Sequence, residues 1–261
     1  MKSVWANSRY DASEYGTKLV EKILDGSSFT YPKSLWAVYD AIFAATKNDK
    51  EAIILDFFSG SGTTAHAVLQ LNKEDRGNRK FILVQVPESI PDEYKTSRYK
   101  NICEIGKERI RRAGKKLKEE ARLQGQNLDT GFRVLKLDSS NMEDVYYTPQ
   151  EFSMASLFNE NVKADRTNED LLFQVMLDLG IELSAKIETK QIAGKQVHIV
   201  DEGYLVACFD REVNESAITE IAKQQPVYFV MRDASASNDN VIDNFEQIFR
   251  HYSPDTSCRI I

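Results

Sequence analysis

The sequence predicts an α/β protein in two parts, and three features carry that prediction. An apolar strand, a glycine turn, a helix and a second apolar strand follow one another over residues 52–86. Both strands are apolar at successive positions, and a smaller alternation of helices and strands fills the chain from residue 168 onward. Strand, crossover helix and strand make a βαβ unit. Continuous apolar strands suit a parallel sheet covered on both faces better than an exposed hairpin. The expected organisation is a ligand-binding part over 1–150 and a second, smaller α/β domain over 165–261. A mixed polar, proline and aromatic stretch at about 140–165 is the candidate linker.

The elements follow from local pattern. Residues 18–26 and 33–46 read as helices, the second after Pro32, a residue tolerated at a helix start. AIILDFF at 52–58 reads as a strand, and SGSGTT turns the chain into a helix of about a dozen residues. NKEDRGN closes that helix before the strand KFILVQV at 80–86. Tyr99 to Arg122 is a charged amphipathic helix with Ile110, Ala113, Leu117 and Ala121 on one face. GFRVLKLD is expected as a third strand ending at Asp138. Beyond the linker come a helix from 168, strands at 185–189, 195–200 and 204–210, and a helix at 214–224. A strand at 226–232, a helix near 238–250 and a final strand end the pattern.

Composition narrows the function classes. With 261 residues, 42% of them hydrophobic, the chain can bury one full core and a second smaller one. No run of about 18 uncharged apolar residues occurs, and the start lacks the apolar segment of a signal peptide, so a soluble cytoplasmic protein without membrane contact is expected. Cys103, Cys208 and Cys258 are far apart and only three histidines are present, which gives no metal-ligand spacing and no disulfide framework. A net charge of −6 argues against a protein whose whole surface grips nucleic acid. Lys95 to Arg122 nonetheless holds 11 Lys and Arg against 4 Glu. That stripe reads either as a solvated helix face or as a track for phosphates.

The sharpest chemical signal is DFFSGSGTT, Asp56 to Thr64. Glycines at 60 and 62 let backbone amides approach a ligand where a strand hands over to a helix. A P-loop would need Lys before the Ser or Thr, and none is present, which disfavours nucleotide triphosphate hydrolysis. His66 lies one turn inside the following helix and reads as a packing or hydrogen-bonded residue. His198 and His251 have no matching nucleophile.

DFFSGSGTTAHAVLQLN followed by NRKFILVQVPE resembles the cofactor motif of type III restriction-modification modification subunits, which are beta-group amino methyltransferases. In that group a Pro-Lys motif precedes the glycine motif, and TYPKSLWAVYDAI at 30–42 stands in that place. FRVLKLDSSN, GYLVACFD and PVYFVMRDASASND extend the likeness over nearly the whole chain. The resemblance implies a Rossmann-like, partial methyltransferase sheet that binds S-adenosylmethionine. Asp56, Phe57, Phe58, Gly60, Ser61 and Gly62 would line its methionine and ribose side, with Thr63 and Thr64 helping to cap the helix. Pro32, Lys33 and Ser34 would stand at the methionine carboxylate, Lys33 being otherwise a solvated surface lysine. The ribose contact falls to Gln85 or Glu88, and Asp138 either reaches the adenine amino group or caps a turn.

The resemblance further implies adenine-N6 methylation of DNA by the full-length enzyme, a homodimer and a restriction-subunit partner. The Asp-Pro-Pro-Tyr type motif that grips a flipped adenine is absent, for no Pro-Pro pair occurs, so no catalytic residue is assigned. A C-terminal part of such an enzyme, inactive alone, is therefore expected. The alternatives are a non-catalytic assembly module and a methyltransferase acting on another acceptor.

Overall fold

A computed structural model describes residues 5–26, 29, 31–90, 99–143, 162–232 and 239–261. The chain divides into two compact units, Met1–Phe132 and Arg133–Ile261. No helix among the described residues is long and apolar enough to cross a membrane.

After a short 3-10 helix at Ser8–Tyr10, a π-helical stretch, Ser13–Lys18, runs into α1 (Leu19–Ile23). It continues through α2 (Leu35–Thr46), β1 (Ile53–Asp56), α3 (Thr63–Asp75), β2 (Lys80–Leu83) and α4 (Ile102–Leu123). β1 and β2 pair in parallel, with Ile53 opposite Lys80 and Asp56 opposite Leu83, so the βαβ unit forms as expected. Every residue from Thr63 to Leu69 is buried, because α3 is small or apolar on all sides and lies in the interior of the unit. Ala65 and Leu69 pack with Ile110, Leu117 and Ala121 of α4. Ala67, Val68 and Leu71 pack with Leu35 and Ile42 of α2.

Four expectations are corrected here. The sheet is covered on one face only: Ile54, Phe81 and Leu83 join the helical core, while Ile53, Leu55, Ile82, Val84 and Val86 are exposed. The strands end sooner than their apolar runs, because Phe57, Phe58, Gln85 and Val86 lie beyond the ladder register. Residues 131–138 carry no strand. A strand needs a ladder partner for its backbone, and neither sheet of the described residues, β1–β2 or the five-stranded sheet of the second unit, pairs with this segment. Phe132 instead packs at the α3–α4 core, and in the second unit Arg133 donates to the carbonyls of Leu183 and Ala185. Finally, α4 begins at Ile102, after Asn101 caps it by accepting the Glu104 N–H at 3.1 Å.

The second unit holds α5 (Asn168–Asp178), β3 (Ile187–Ile192), β4 (Lys195–Val200), β5 (Leu205–Cys208), α6 (Glu215–Ala222), β6 (Tyr228–Met231), α7 (Asp239–Tyr252) and β7 (Ser257–Ile260). The sheet runs in sequence order, antiparallel from β3 to β5 and parallel from β5 to β7. Alternation splits the strands between two cores. Val206, Cys208, Phe229 and Met231 face α6 and α7, and Leu205, Ala207 and Val230 face α5. The two crossover helices thus share one face, as parallel connections of one hand require. The candidate linker falls largely outside the described residues.

Candidate functional site

The end of β1, the turn that follows and the start of α3 form one hydrogen-bonded construction. Asp56 accepts from the Phe58 N–H at 3.1 Å and from the Thr64 hydroxyl at 2.6 Å, which ties the strand end to the helix start. Gly60 and Gly62 have φ of +49° and +73°, in the left-handed region that glycine enters without the steric cost of a Cβ. Gly62 N–H bonds the Ser59 carbonyl at 2.8 Å, and Gly60 N–H bonds Gln85 Oε1 at 2.8 Å. The end of β2 is thereby brought against the turn.

Gly62 is the N-cap of α3 and makes no side-chain cap, so the expected capping by Thr63 and Thr64 is replaced by other bonds. Thr64 is turned to Asp56. Thr63 and Ser61 point inward, where both hydroxyls accept from Arg109 Nη1 at 2.8 Å. An uncapped helix start of this kind presents backbone donors and a positive dipole end. Phe57 and Phe58 extend outward beside it with strongly exposed rings.

Close approach from α4 completes the turn. A Cβ on Gly106 would lie 3.2 Å from the Gly60 carbonyl oxygen, and one on Gly62 would lie 3.3 Å from the Gly106 carbonyl oxygen. Phe29 packs beside Gly60, its ring tip 3.5 Å from where a Cβ would stand.

The Pro-Lys segment is braced from the other side. Pro32 is buried, and a Cβ on Gly16 of the π-helical stretch would come within 2.5 Å of its carbonyl oxygen. Ser34 is the N-cap of α2 and donates its hydroxyl to the Arg9 carbonyl at 2.9 Å, so α2 starts two residues later than expected. Lys33 is exposed. Glu88 is exposed as well, and its carbonyl receives the Ile102 N–H at 3.0 Å. Asp138 lies in the second unit, where it accepts from the Ser139 N–H at 2.7 Å and pairs with Arg166 at 3.4 Å.

His66 is buried, and its Nδ1 has no partner among the described residues. Burial, and then the charge of Arg109, pushes its pKa down to about 3, so the ring is neutral at pH 7 and closed to solvent protons. Sequence reasoning passed over Phe29, Gly106 and Arg109. Two of these carried a signal. Arg109 stands on the i−4 row of Ala113, Leu117 and Ala121, inside the apolar stripe of α4, and Gly106 is a glycine within a long helix.

The βαβ unit and its turn lie in the part of the chain that a family model matches. The family model described as DNA methylase matches residues 1–119. The Mod subunit of the type III restriction-modification enzyme EcoP15I of Escherichia coli is 34% identical over 184 residues, covering 69% of this chain and 26% of that protein. The StyLTI Mod subunit of Salmonella typhimurium is 37% identical over 124 residues, 47% of this chain and 18% of that protein. The type II methyltransferase M.KpnI of Klebsiella pneumoniae is 41% identical over 85 residues, 33% of this chain and 20% of that protein. The chain is thus similar to type III modification subunits, as its motifs indicated. It spans about a quarter of the length of the Escherichia coli relative.

Proposed function

We propose that the first unit is the S-adenosylmethionine-binding part of a DNA adenine-N6 methyltransferase, the modification subunit of a type III restriction-modification system. The observation that carries this reading is the turn from Asp56 to Thr64, with its two left-handed glycines and the uncapped start of α3. The match of residues 1–119 to DNA methylases and the Mod relatives support it. The bare apolar face of β1 and β2 fits a partial Rossmann-like sheet, since parallel strands are normally covered on both faces.

The residues present suit the cofactor. The backbone amides at the uncapped start of α3, after Gly62, favour its methionine end, and the exposed rings of Phe57 and Phe58 offer apolar cover. Lys33 adds a cation near the start of α2, where the Ser34 hydroxyl is already committed to Arg9. Gln85 is bonded at both ends of its amide, to Gly60 N–H and to the Val86 carbonyl, which favours Glu88 for the ribose. S-adenosylmethionine supplies a reactive methyl on a sulfonium. This chain's contribution is to orient that end and shield it from water.

Transfer to adenine needs a grip on the flipped base, and the 261 residues contain no Pro-Pro pair from which the known grip could be built. The acceptor site must therefore come from another segment or another chain. The alignment to the Escherichia coli Mod subunit is longer than the first unit, so it extends into the second. Its role is assembly, in a homodimer or with a restriction subunit. Radiolabelled methyl transfer to DNA tests the proposal. Transfer is expected when the chain is joined to a segment carrying an Asp-Pro-Pro-Tyr type motif and a recognition region, and not from the 261 residues alone. Site-specific transfer by the isolated chain would overturn the division of labour, and transfer to an acceptor other than adenine would overturn the reaction class.

A further inference from the structure

Among the described residues of the first unit two arginines are buried, and their surroundings differ. Arg79 is held by both carboxylate oxygens of Asp75, at 3.0 and 2.9 Å, and by the hydroxyl and carbonyl of Thr46. Arg109 is 0% exposed and makes two hydrogen bonds, both from Nη1, to the hydroxyls of Ser61 and Thr63. Its Nε and Nη2 have no partner, and no carboxylate pairs with it among the described residues. A buried guanidinium without an anion carries an uncompensated desolvation penalty. Burial lowers its pKa only to about 10, so it stays charged at neutral pH.

The position of this charge gives it meaning. Arg109 points at Ser61 and Thr63, the residues on either side of the N-cap Gly62, where α3 presents its uncapped, positive end. Two independent sources of positive potential therefore converge on one short stretch of backbone. The acid beside it, Asp56, already accepts from Phe58 and Thr64. We infer that Arg109 is a positioning residue for the ligand, fixing Ser61 to Thr63 from behind and supplying the standing positive charge that favours an S-adenosyl ligand's α-carboxylate. The inference rests on the cofactor reading above. Arg109 acts through the two hydroxyls and through its field.

The test compares S-adenosylhomocysteine with 5′-methylthioadenosine, which shares the nucleoside and thioether and lacks the amino-acid end. Calorimetric affinities are measured for the wild-type chain, Arg109→Lys and Arg109→Gln. In the wild type S-adenosylhomocysteine binds more tightly. In Arg109→Gln that preference shrinks on the order of tenfold, and Arg109→Lys, which keeps the charge, retains most of it. A second readout needs no variant to fold: the Nε–H resonance of Arg109 in the wild type shifts on adding S-adenosylhomocysteine and stays in place with 5′-methylthioadenosine. An equal loss for both ligands in Arg109→Gln, together with an unmoved resonance, overturns the inference and leaves the cofactor reading standing. If the wild type binds neither ligand, the cofactor reading fails and the inference falls with it.

Discussion

His66 shows how burial at one residue becomes a property of the chain. Its folded pKa, about 3, lies below the ordinary value of 6.5, so the unfolded state binds the extra proton as pH falls. The stability contributed by the neutral ring is complete above about pH 6.5 and is lost progressively towards pH 3. Between about pH 7.5 and pH 5.5 the loss is about 1.4 kcal/mol. Urea unfolding at both values should show that extra loss in the wild type and not in His66→Gln. Gly106 gives a second residue-level prediction. Alanine gains about 1 kcal/mol of helix propensity there, while its Cβ presses on the Gly60 carbonyl. Gly106→Ala should therefore change stability little and weaken S-adenosylhomocysteine binding on the order of tenfold, as read by calorimetry. Gly125→Ala, at φ +70° with open space around it, should cost about 1 kcal/mol of backbone strain and leave binding unchanged. The glycine turn was legible at this scale because glycine and its flanking residues form a local pattern. Arg109 was missed although it stands on the apolar row of α4, because a guanidinium in a charged amphipathic helix resembles a solvated one until the packing of α4 on the turn is seen.

Elements were legible where local chemistry decides them. The helix at 168 is an example, since Thr167 and Asp170 form a reciprocal capping box at the start of α5. Thr167→Ala should destabilise the chain by about 1 kcal/mol, seen as a lower urea midpoint, with unchanged affinity for S-adenosylhomocysteine. The apolar run at 131–138 misled for the opposite reason. Its β-like composition is real, but a strand is a relation between two segments, and no neighbouring ladder receives this one among the described residues. Strand lengths in the βαβ unit erred similarly. Apolar residues continue past Asp56 and Leu83, whereas pairing stops where the backbone turns to build the loop around Gly60.

At the scale of the molecule, the α/β class and the order of strands and helices in the second unit were readable from alternation, because each strand divides its side chains between two cores. The one-sided sheet of the first unit was not readable: an apolar strand has the same sequence whether its second face is covered or bare. What joins the levels is the turn between Asp56 and Thr64, which Gln85 approaches from beyond β2, Phe29 from the segment before α2, and Gly106 and Arg109 from α4. Isothermal titration of S-adenosylmethionine into the wild type and into Gly60→Val, with circular dichroism confirming that both are folded, tests the central claim most directly. A β-branched side chain at φ +49° should displace the turn and lower affinity at least about tenfold. Wild-type binding that Gly60→Val retains undiminished would contradict the placement of the cofactor at this turn.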